Sequence, residues 1–134
     1  MPTDAVETLL ALAGAHARAV RALEASGLSF AEIRLLLPLH GAALGRRPTD
    51  LAQELHLTAS GVTRALLPLE KRGLIERHRD MGDARASLAV LTSSGRTLLE
   101  EALEQCGHRA QRLLRRLSVG QMKQLARLLD EIGT

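Results

Sequence analysis

The strongest constraint on the fold is that helix-spaced apolar residues are interrupted between Gly73 and Thr92 by a strand-like pattern. Leu74 to Arg79 has the composition of one strand, residues 80–84 form a polar turn, and the segment up to Leu91 alternates apolar and polar side chains. This order predicts a two-stranded hairpin. On both sides of it, apolar residues recur at the spacing of one helix face. The sequence therefore predicts a mainly α-helical fold with a small β-hairpin.

Capping residues mark four predicted helices before the hairpin and two after it. Pro38 interrupts the second helix, where it cannot donate a backbone hydrogen bond, so a kink or an early end is expected. The link between the third and fourth helices, His56-Leu57, is very short. The first four predicted helices run from Thr3 to Ala25, from the Ser29/Glu32 capping box towards Gly41, from the Thr49 cap through Leu55, and from the Thr58 cap through Leu69. The last two run from Thr92 to Leu117 and from the Ser118/Gln121 capping box to Ile132.

Two short helices joined by a tight link, with a basic hairpin directly after the second, match a winged helix-turn-helix. The second helix of such a unit enters the major groove of DNA with its first turns. If Val62, Leu66 and Leu69 pack inward, the opposite face of those turns carries small or forked side chains that fit a groove. The predicted contact residues are Ser60, Gly61, Thr63 and Arg64 on the helix and Arg77, Arg79 and Arg85 on the hairpin.

Charge and surplus apolar surface predict a homodimer. Residues 58–85 carry six basic and four acidic residues, so one unit alone would neutralise few phosphates and bind weakly. The terminal helices are more broadly apolar than one small winged domain requires, which favours a two-fold partner. We therefore expect one domain over residues 1–134. In it, residues 1–28 and 92–134 form a helical dimerisation region, residues 29–91 form the DNA-binding region, and the wing spans about 74–91.

Five short motifs stand in order along the chain: Leu51-Ala52-Gln53-Glu54-Leu55, Val62-Thr63-Arg64, Leu69 to Arg77, Asp83-Ala84-Arg85 and Leu91 to Gly95. Together they closely resemble the MarR family of bacterial and archaeal transcriptional regulators. The resemblance implies a homodimer held by its terminal helices, a pseudo-palindromic operator and, often, release by a small ligand. By position, Ser60, Thr63 and Arg64 correspond to groove contacts. Asp83 and Arg85 correspond to the paired residues of the wing.

The chain departs from the family pattern at two places. The family wing commonly reads Asp-x-Arg-Asp-x-Arg, and Gly82 stands at the first arginine position, so the side chain most often inserted into the minor groove is absent. Arg79 or Arg85 is expected to replace it only in part. The recognition helix carries Leu67-Pro68 where an acidic and a basic residue are frequent, so one phosphate contact is missing.

Several residues have a plainer interpretation beside the functional one. Arg85 has an alternative role, an ion pair with Asp83 that only shapes the turn. Cys106 lies on the same apolar stripe as Leu103 and Ala110, which favours a small buried side chain over a redox switch. The five histidines are scattered and a single cysteine cannot hold zinc alone, so no metal site and no cofactor are predicted.

Composition narrows the function further. One Phe, with no Trp or Tyr, leaves no aromatic platform for single-stranded bases, whereas Arg accounts for 16 of the 18 basic residues and suits phosphates and guanine edges. The single Cys, the absence of a membrane-spanning apolar run, and an opening Met1 to Asp4 without a basic leader predict a cytoplasmic protein that does not associate with membranes. No catalytic arrangement occurs at a useful spacing, so an enzyme is not expected.

The sequence thus predicts a transcriptional regulator that binds double-stranded DNA as a homodimer and acts as a ligand-responsive repressor by blocking polymerase. The effector is of unknown identity. An alternative is a protein-interaction module that uses its winged helix without sequence-specific DNA binding, an alternative that the net charge of only +3 and Gly82 keep open. A second nucleic-acid surface over residues 108–127 is less favoured than cations complementing a helix dipole.

Overall fold

The computed structural model describes residues 3–133 and has four helices, a hairpin and two helices, in the predicted order. Met1, Pro2 and Thr134, which belong to the predicted terminal segments, lie outside the described residues, as does the side chain of Ala84 in the wing motif. The elements are α1 (Thr3–Ala22), α2 (Phe30–Leu36), a 3₁₀ turn (Leu37–Leu39), α3 (Pro48–Leu55), α4 (Ala59–Lys71), β1 (Ile75–Asp80), β2 (Asp83–Leu91), α5 (Ser93–Leu113) and α6 (Val119–Asp130).

Helix α1 ends at Ala22, three residues before the predicted end at Ala25. Ala25 and Leu28 exchange backbone hydrogen bonds of 3.1 and 2.9 Å across a tight turn. The two residues between them, Ser26 and Gly27, have left-handed φ values of 53° and 75°. The Ala25 N–H donates to Leu28 in this turn instead of to a helical carbonyl, so α1 ends before the predicted residue.

Helix α2 confirms the predicted capping box and the effect of Pro38. The Ser29 backbone N–H donates to the Glu32 carboxylate at 2.9 Å, and the Glu32 N–H donates to the Ser29 hydroxyl at 3.2 Å. The α-helix ends at Leu36, and Pro38 lies in the 3₁₀ turn Leu37–Leu39 that follows. The sequence therefore ends this helix early rather than continuing it as a straight rod.

The helix-turn-helix pair differs from the prediction at the start of α3 and at the end of α4, which continues to Lys71, two residues beyond the predicted Leu69. Helix α3 begins at Pro48 with Arg47 as its N-cap, so the predicted cap at Thr49 is wrong. Proline suits the first helical position because its fixed φ is helical and because a backbone N–H at that position would have no partner within the helix. His56 closes α3 in a left-handed conformation, and Thr58 caps α4 through its side chain, as predicted.

The core is built from apolar side chains of α2 and its flanking turns, the helix-turn-helix, the hairpin and the first half of α5. Val62, Leu66 and Leu69 of α4 are fully buried, as their spacing predicts. Leu51 and Ala52 pack against them from α3. The other buried residues of this cluster are Ala25, Leu28, Ile33, Leu35, Leu36, Leu39, Leu74, Ile75, Ala89, Leu91, Leu99, Ala102 and Cys106.

The hairpin has a tighter turn than the sequence predicts. Asp80 is paired with Asp83, so the turn consists of Met81-Gly82 and not of residues 80–84. The register shifts between Arg79 and Asp80, which marks a bulge close to the turn. Bulges increase local twist and re-aim neighbouring side chains.

A third backbone segment, absent from the sequence prediction, pairs with the hairpin. Arg46 donates to the Ala89 carbonyl at 3.0 Å and accepts from the Ala89 N–H at 2.8 Å. Gly45 makes this approach feasible, because a Cβ at that position would lie 2.6 Å from the Ala89 carbonyl oxygen. Gly45 also has a φ of 87°, in the region that glycine adopts without strain.

Helix α5 is half embedded in the core and half outside it. It ends at Leu113, four residues before the predicted end, and its buried residues stop at Cys106. Helices α1 and α6 contain no buried residue. The terminal apolar residues, defined here as exposed large side chains on α1, the end of α5 and α6, are Val6, Leu9, Leu10, Leu113, Val119, Leu125, Leu128 and Leu129.

Candidate DNA-binding interface

The first turns of α4 present three of the predicted contact residues to solvent. Ser60, Thr63 and Arg64 are exposed, while Val62 and Leu66 of the same helix are fully buried. Within residues 3–133, the Arg64 guanidinium takes part in no ion pair or hydrogen bond, so all its donors are free for a ligand. This polar face meets the size and donor requirements for entry into a major groove.

A tight cap fixes the start of α4. The Thr58 hydroxyl accepts a hydrogen bond from the Gly61 N–H at 3.1 Å. A Cβ at Gly61 would lie 2.8 Å from that same oxygen, so a side chain there would press on the cap. This cap fixes the backbone of the first turn of α4, which carries the exposed polar face.

The other end of α4 is closed by a Schellman motif. Gly73 has a φ of 73°, its N–H bonds to the Glu70 carbonyl at 3.0 Å, and the Leu74 N–H bonds to the Leu69 carbonyl at 3.0 Å. The C-cap residue Arg72 forms an ion pair of 3.0 Å with Glu32, which lies in the α2 capping box. The recognition helix is therefore anchored at both ends.

The wing carries three exposed predicted contacts near its turn: Arg79, Asp83 and Arg85. Asp83 accepts a hydrogen bond of 2.9 Å from the Arg85 backbone N–H, and within the described part of the chain the Arg85 guanidinium forms no ion pair. Asp83 thus shapes the turn through the backbone and leaves the Arg85 side chain free. The side chain at the very tip is Met81, which is 100% exposed beside Gly82.

Arg77 does not join this outward group. Its side chain is only 21% exposed, and its Nε lies 3.6 Å from the Glu70 carboxylate of α4. A terminal nitrogen donates to the Ser87 hydroxyl across the hairpin at 3.4 Å. The Nε is buried and makes no hydrogen bond among the described residues. Arg77 therefore connects the wing to the recognition helix, whereas Arg79 and Arg85 are exposed to solvent.

An ion pair that the sequence analysis missed connects the wing turn to α3. Arg47 Nε donates to Asp80 Oδ2 at 2.7 Å, and a terminal nitrogen of the same guanidinium donates to the same oxygen. Asp80 Oδ1 accepts from the Gly82 N–H at 2.9 Å. The bond from Gly82 and the Arg47 guanidinium lower the pKa of Asp80, and Asp80 raises the pKa of Arg47. No local sequence signal indicates this pair.

Neither a redox site nor a metal site emerges among residues 3–133. Cys106 is 2% exposed, and burial raises the pKa of its thiol, which keeps it in the less reactive protonated form. In this part of the chain no three His, Cys, Asp or Glu residues are grouped closely enough to hold a metal ion. Nor does this part contain a helix with the length and apolar character needed to cross a lipid bilayer.

The short α3–α4 link, the exposed face of α4 and the hairpin with outward arginines together define a winged helix-turn-helix protein. A family model described as the MarR family matches residues 26–86, which span this unit up to the second strand. The HTH-type transcriptional repressor Rv2887 of Mycobacterium tuberculosis is 27% identical over 113 residues, covering 84% of this chain and 81% of that protein. The winged helix-turn-helix of this chain is similar to the MarR family of transcriptional regulators, as its motifs predict.

Solved structures agree over nearly the whole chain. The repressor CouR bound to a 23-mer DNA duplex is 26% identical with a TM-score of 0.80, covering 96% of this chain and 90% of CouR. CouR from Rhodococcus jostii RHA1 bound to p-coumaroyl-CoA is 25% identical with a TM-score of 0.82, covering 98% and 94%. A mutant MarR from E. coli in complex with operator DNA, 22% identical, shares the fold with a TM-score of 0.85 over 100% of this chain and 99% of its own.

Proposed function

We propose that this protein is a repressor that binds a pseudo-palindromic DNA operator as a homodimer. One observation carries the proposal: the polar first turns of α4 are exposed while its opposite face is fully buried. A helix held in this way presents a rigid reading surface, and the outward arginines of the wing supply flanking contacts. The proposed contact residues are Ser60, Thr63 and Arg64 on α4 and Arg79, Asp83 and Arg85 on the wing, with Arg77 acting behind them.

The terminal apolar residues support the dimer. Leu10 is 66% exposed and Leu128 is 53% exposed, and both lie on helices that contribute nothing to the buried core. Contiguous apolar helix faces of this kind are typical of association surfaces. We therefore assign dimerisation to residues 1–28 and 92–134 and DNA binding to residues 29–91.

Similarity to named repressors supports repression by steric exclusion and release by an effector. CouR, a repressor with 25% identity to this chain, has been solved with p-coumaroyl-CoA, and the M. tuberculosis relative is itself a repressor. An effector that prefers a different spacing of the two recognition helices lowers DNA affinity by shifting the population of dimers. The proposed activity is binding alone, without catalysis, cofactor or metal, in the cytoplasm where the DNA lies.

Selection from a random pool of DNA duplexes, followed by footprinting, tests this function and identifies the operator in the same experiment. We expect an enriched inverted repeat with two protected halves about one helical turn, roughly 34–36 Å, apart. Affinity should fall steeply as salt rises, because phosphate contacts release counterions. Failure to enrich any sequence, or binding insensitive to salt, would instead favour a protein-interaction module.

A further inference from the structure

Arg47 is an unusual N-cap. Most helices begin with Ser, Thr, Asp or Asn, whose side chains bond to the first backbone N–H groups. Arg47 makes no such bond, and its positive charge lies at the helix end that already has positive character. Its guanidinium is committed to Asp80 instead, 33 positions along the chain. The local disadvantage at the start of α3 is thus offset by a contact with the wing.

Asp80 uses its two carboxylate oxygens for two different tasks. Oδ1 holds the turn through the Gly82 N–H, and Oδ2 holds Arg47. The carboxylate is largely covered, whereas the Arg47 side chain remains partly exposed. The pair therefore joins the tip of the wing directly to the first residue of the helix-turn-helix.

The other links between wing and helices lie closer to the root of the hairpin. Arg77 meets Glu70, and Arg46 pairs with Ala89, while Arg77 and Ala89 are themselves opposite each other in the register. Asp80 stands three residues further out, about 10 Å at the usual rise of a strand. A two-stranded hairpin without other support is only marginally stable in water. Among the described residues, the distal wing therefore depends on Arg47.

We propose that Arg47 is a positioning residue for DNA binding, which acts through Asp80 to hold the wing turn at a fixed angle to α4. This inference rests on the proposed function. We call the Arg47–Asp80 pair the clamp. Arg79 and Asp83 flank the turn, and Arg85 follows two residues later. The clamp therefore fixes where Arg79 and Arg85 meet the DNA backbone. The clamp thus allows the wing to make a defined contact with DNA even though Gly82 stands where the family commonly has an arginine.

The test compares two substitutions that change charge equally. Asp80→Asn retains an oxygen for the Gly82 N–H but removes the charge that holds Arg47. Glu54→Gln, near the other end of α3, breaks the exposed pair of 2.7 Å that Glu54 forms with Arg46. Each adds one positive charge per chain, which by itself strengthens DNA binding. Both variants are titrated and footprinted on the duplex selected with the wild-type protein. Thermal unfolding is recorded in parallel.

We expect Asp80→Asn to bind about tenfold more weakly despite its added positive charge, because each dimer loses an ordered wing contact in both halves. Protection should disappear at the sequences flanking each half-site and persist at the centre of each half-site. Glu54→Gln should bind as tightly as wild type or more tightly. Arg47→Lys, which keeps the charge but loses the two-donor contact, should fall between wild type and Asp80→Asn.

Three outcomes overturn the inference. If Asp80→Asn binds like Glu54→Gln with intact flanking protection, the clamp does not position the wing, although DNA binding stands. The same conclusion follows if Arg47→Lys and Arg47→Gln both keep the flanking protection, which covers the case in which Asp80→Asn does not fold. If the wild-type protein selects no duplex at all, the proposed function fails and the positioning role fails with it.

Discussion

The Thr92 hydroxyl lies 2.6 Å from the carbonyl oxygen of Gly73, to which it donates a hydrogen bond. The hydroxyl oxygen of Thr92 accepts in turn from the Gly95 N–H at 3.0 Å, and the Thr92 N–H donates to the Leu74 carbonyl at 3.1 Å. One threonine therefore closes the end of the recognition helix and opens α5. This contact gives a physical reason for the Leu-Thr-x-x-Gly motif, in which both Thr92 and Gly95 are needed where the two helices meet.

Gly95→Ala should destabilise the fold. A Cβ at this position would lie 2.0 Å from the Leu74 carbonyl oxygen and 2.9 Å from the Leu74 carbonyl carbon, so backbone must move to admit it. We expect a loss of roughly 1–3 kcal/mol in the free energy of unfolding. Gly107→Ala is the matched control on the same helix, because nothing lies within 4 Å of a Cβ there. Chemical denaturation should show the control unchanged or more stable, and equal losses in both variants would contradict the close approach.

Arg64→Ala should weaken binding to the selected duplex by about 1–3 kcal/mol and relax base preference next to the lost contact. The reason is that the Arg64 guanidinium is exposed on the reading face and unpaired within the described chain. Lys71→Ala, an exposed cation at the far end of the same helix, removes equal charge and serves as the control. Fluorescence anisotropy titrations on matched and mutated duplexes measure both effects. A uniform, equal loss in the two variants would remove Arg64 from the specificity contacts.

Leu10→Asp or Leu128→Asp should convert the dimer into monomers, because each places a charge among the terminal apolar residues. Leu44→Asp is the control, since Leu44 is 85% exposed in the loop between α2 and α3. Sedimentation equilibrium reports the oligomeric state, and the monomeric variants should lose most of their operator affinity. A dimer that survives both terminal substitutions would place the interface elsewhere.

Peroxide should leave DNA affinity unchanged. Cys106 is packed in the core beside Leu99 and Ala102, and the raised pKa of its thiol disfavours the thiolate that reacts with peroxide. Alkylation with iodoacetamide should be slow in the folded protein and fast in denaturant, as followed by mass spectrometry. Rapid modification of the native protein, together with loss of DNA binding, would identify Cys106 as a sensor after all.

The Arg47–Asp80 clamp should persist in mild acid. Since the folded-state pKa of Asp80 lies below its ordinary value, ionised Asp80 contributes stability that is fully present above the unfolded pKa of about 3.9 and is lost as pH falls through the lower folded value. The gap in unfolding free energy between wild type and Asp80→Asn should therefore be constant from pH 7 to about pH 5 and close below about pH 4. A gap that grows on acidification would contradict the lowered pKa.

Local signals in the sequence predicted most of the fold. The capping boxes at Ser29 and Ser118 and the cap at Thr58 act within three residues, so a short window contains both partners. The buried face of α4 follows from helical spacing alone. The start of α3 was misplaced because Thr49 is a good cap by type, while Pro48 occupies the first helical position.

What the sequence could not supply are contacts between distant segments. The Arg46–Ala89 bridge joins backbones 43 positions apart, and its formation depends on the absence of a side chain at Gly45. The inward turn of Arg77 likewise depends on where Glu70 and Ser87 lie once the hairpin packs against α4. Charge alone grouped Arg77 with Arg79 and Arg85 in the sequence. Only the contacts of Arg77 with Glu70 and Ser87 in the folded protein separate it from the other two.

The division of α5 into an embedded half and an outer half has a mechanical consequence. A helix of 21 residues is about 30 Å long, and its near end is fastened to the recognition helix through Thr92 while its far end carries Leu113. Pivoting such a lever by about 10° swings its far end by roughly 5 Å. In the proposed dimer, a small rearrangement near Leu113 would therefore rotate the recognition helix at the other end of α5.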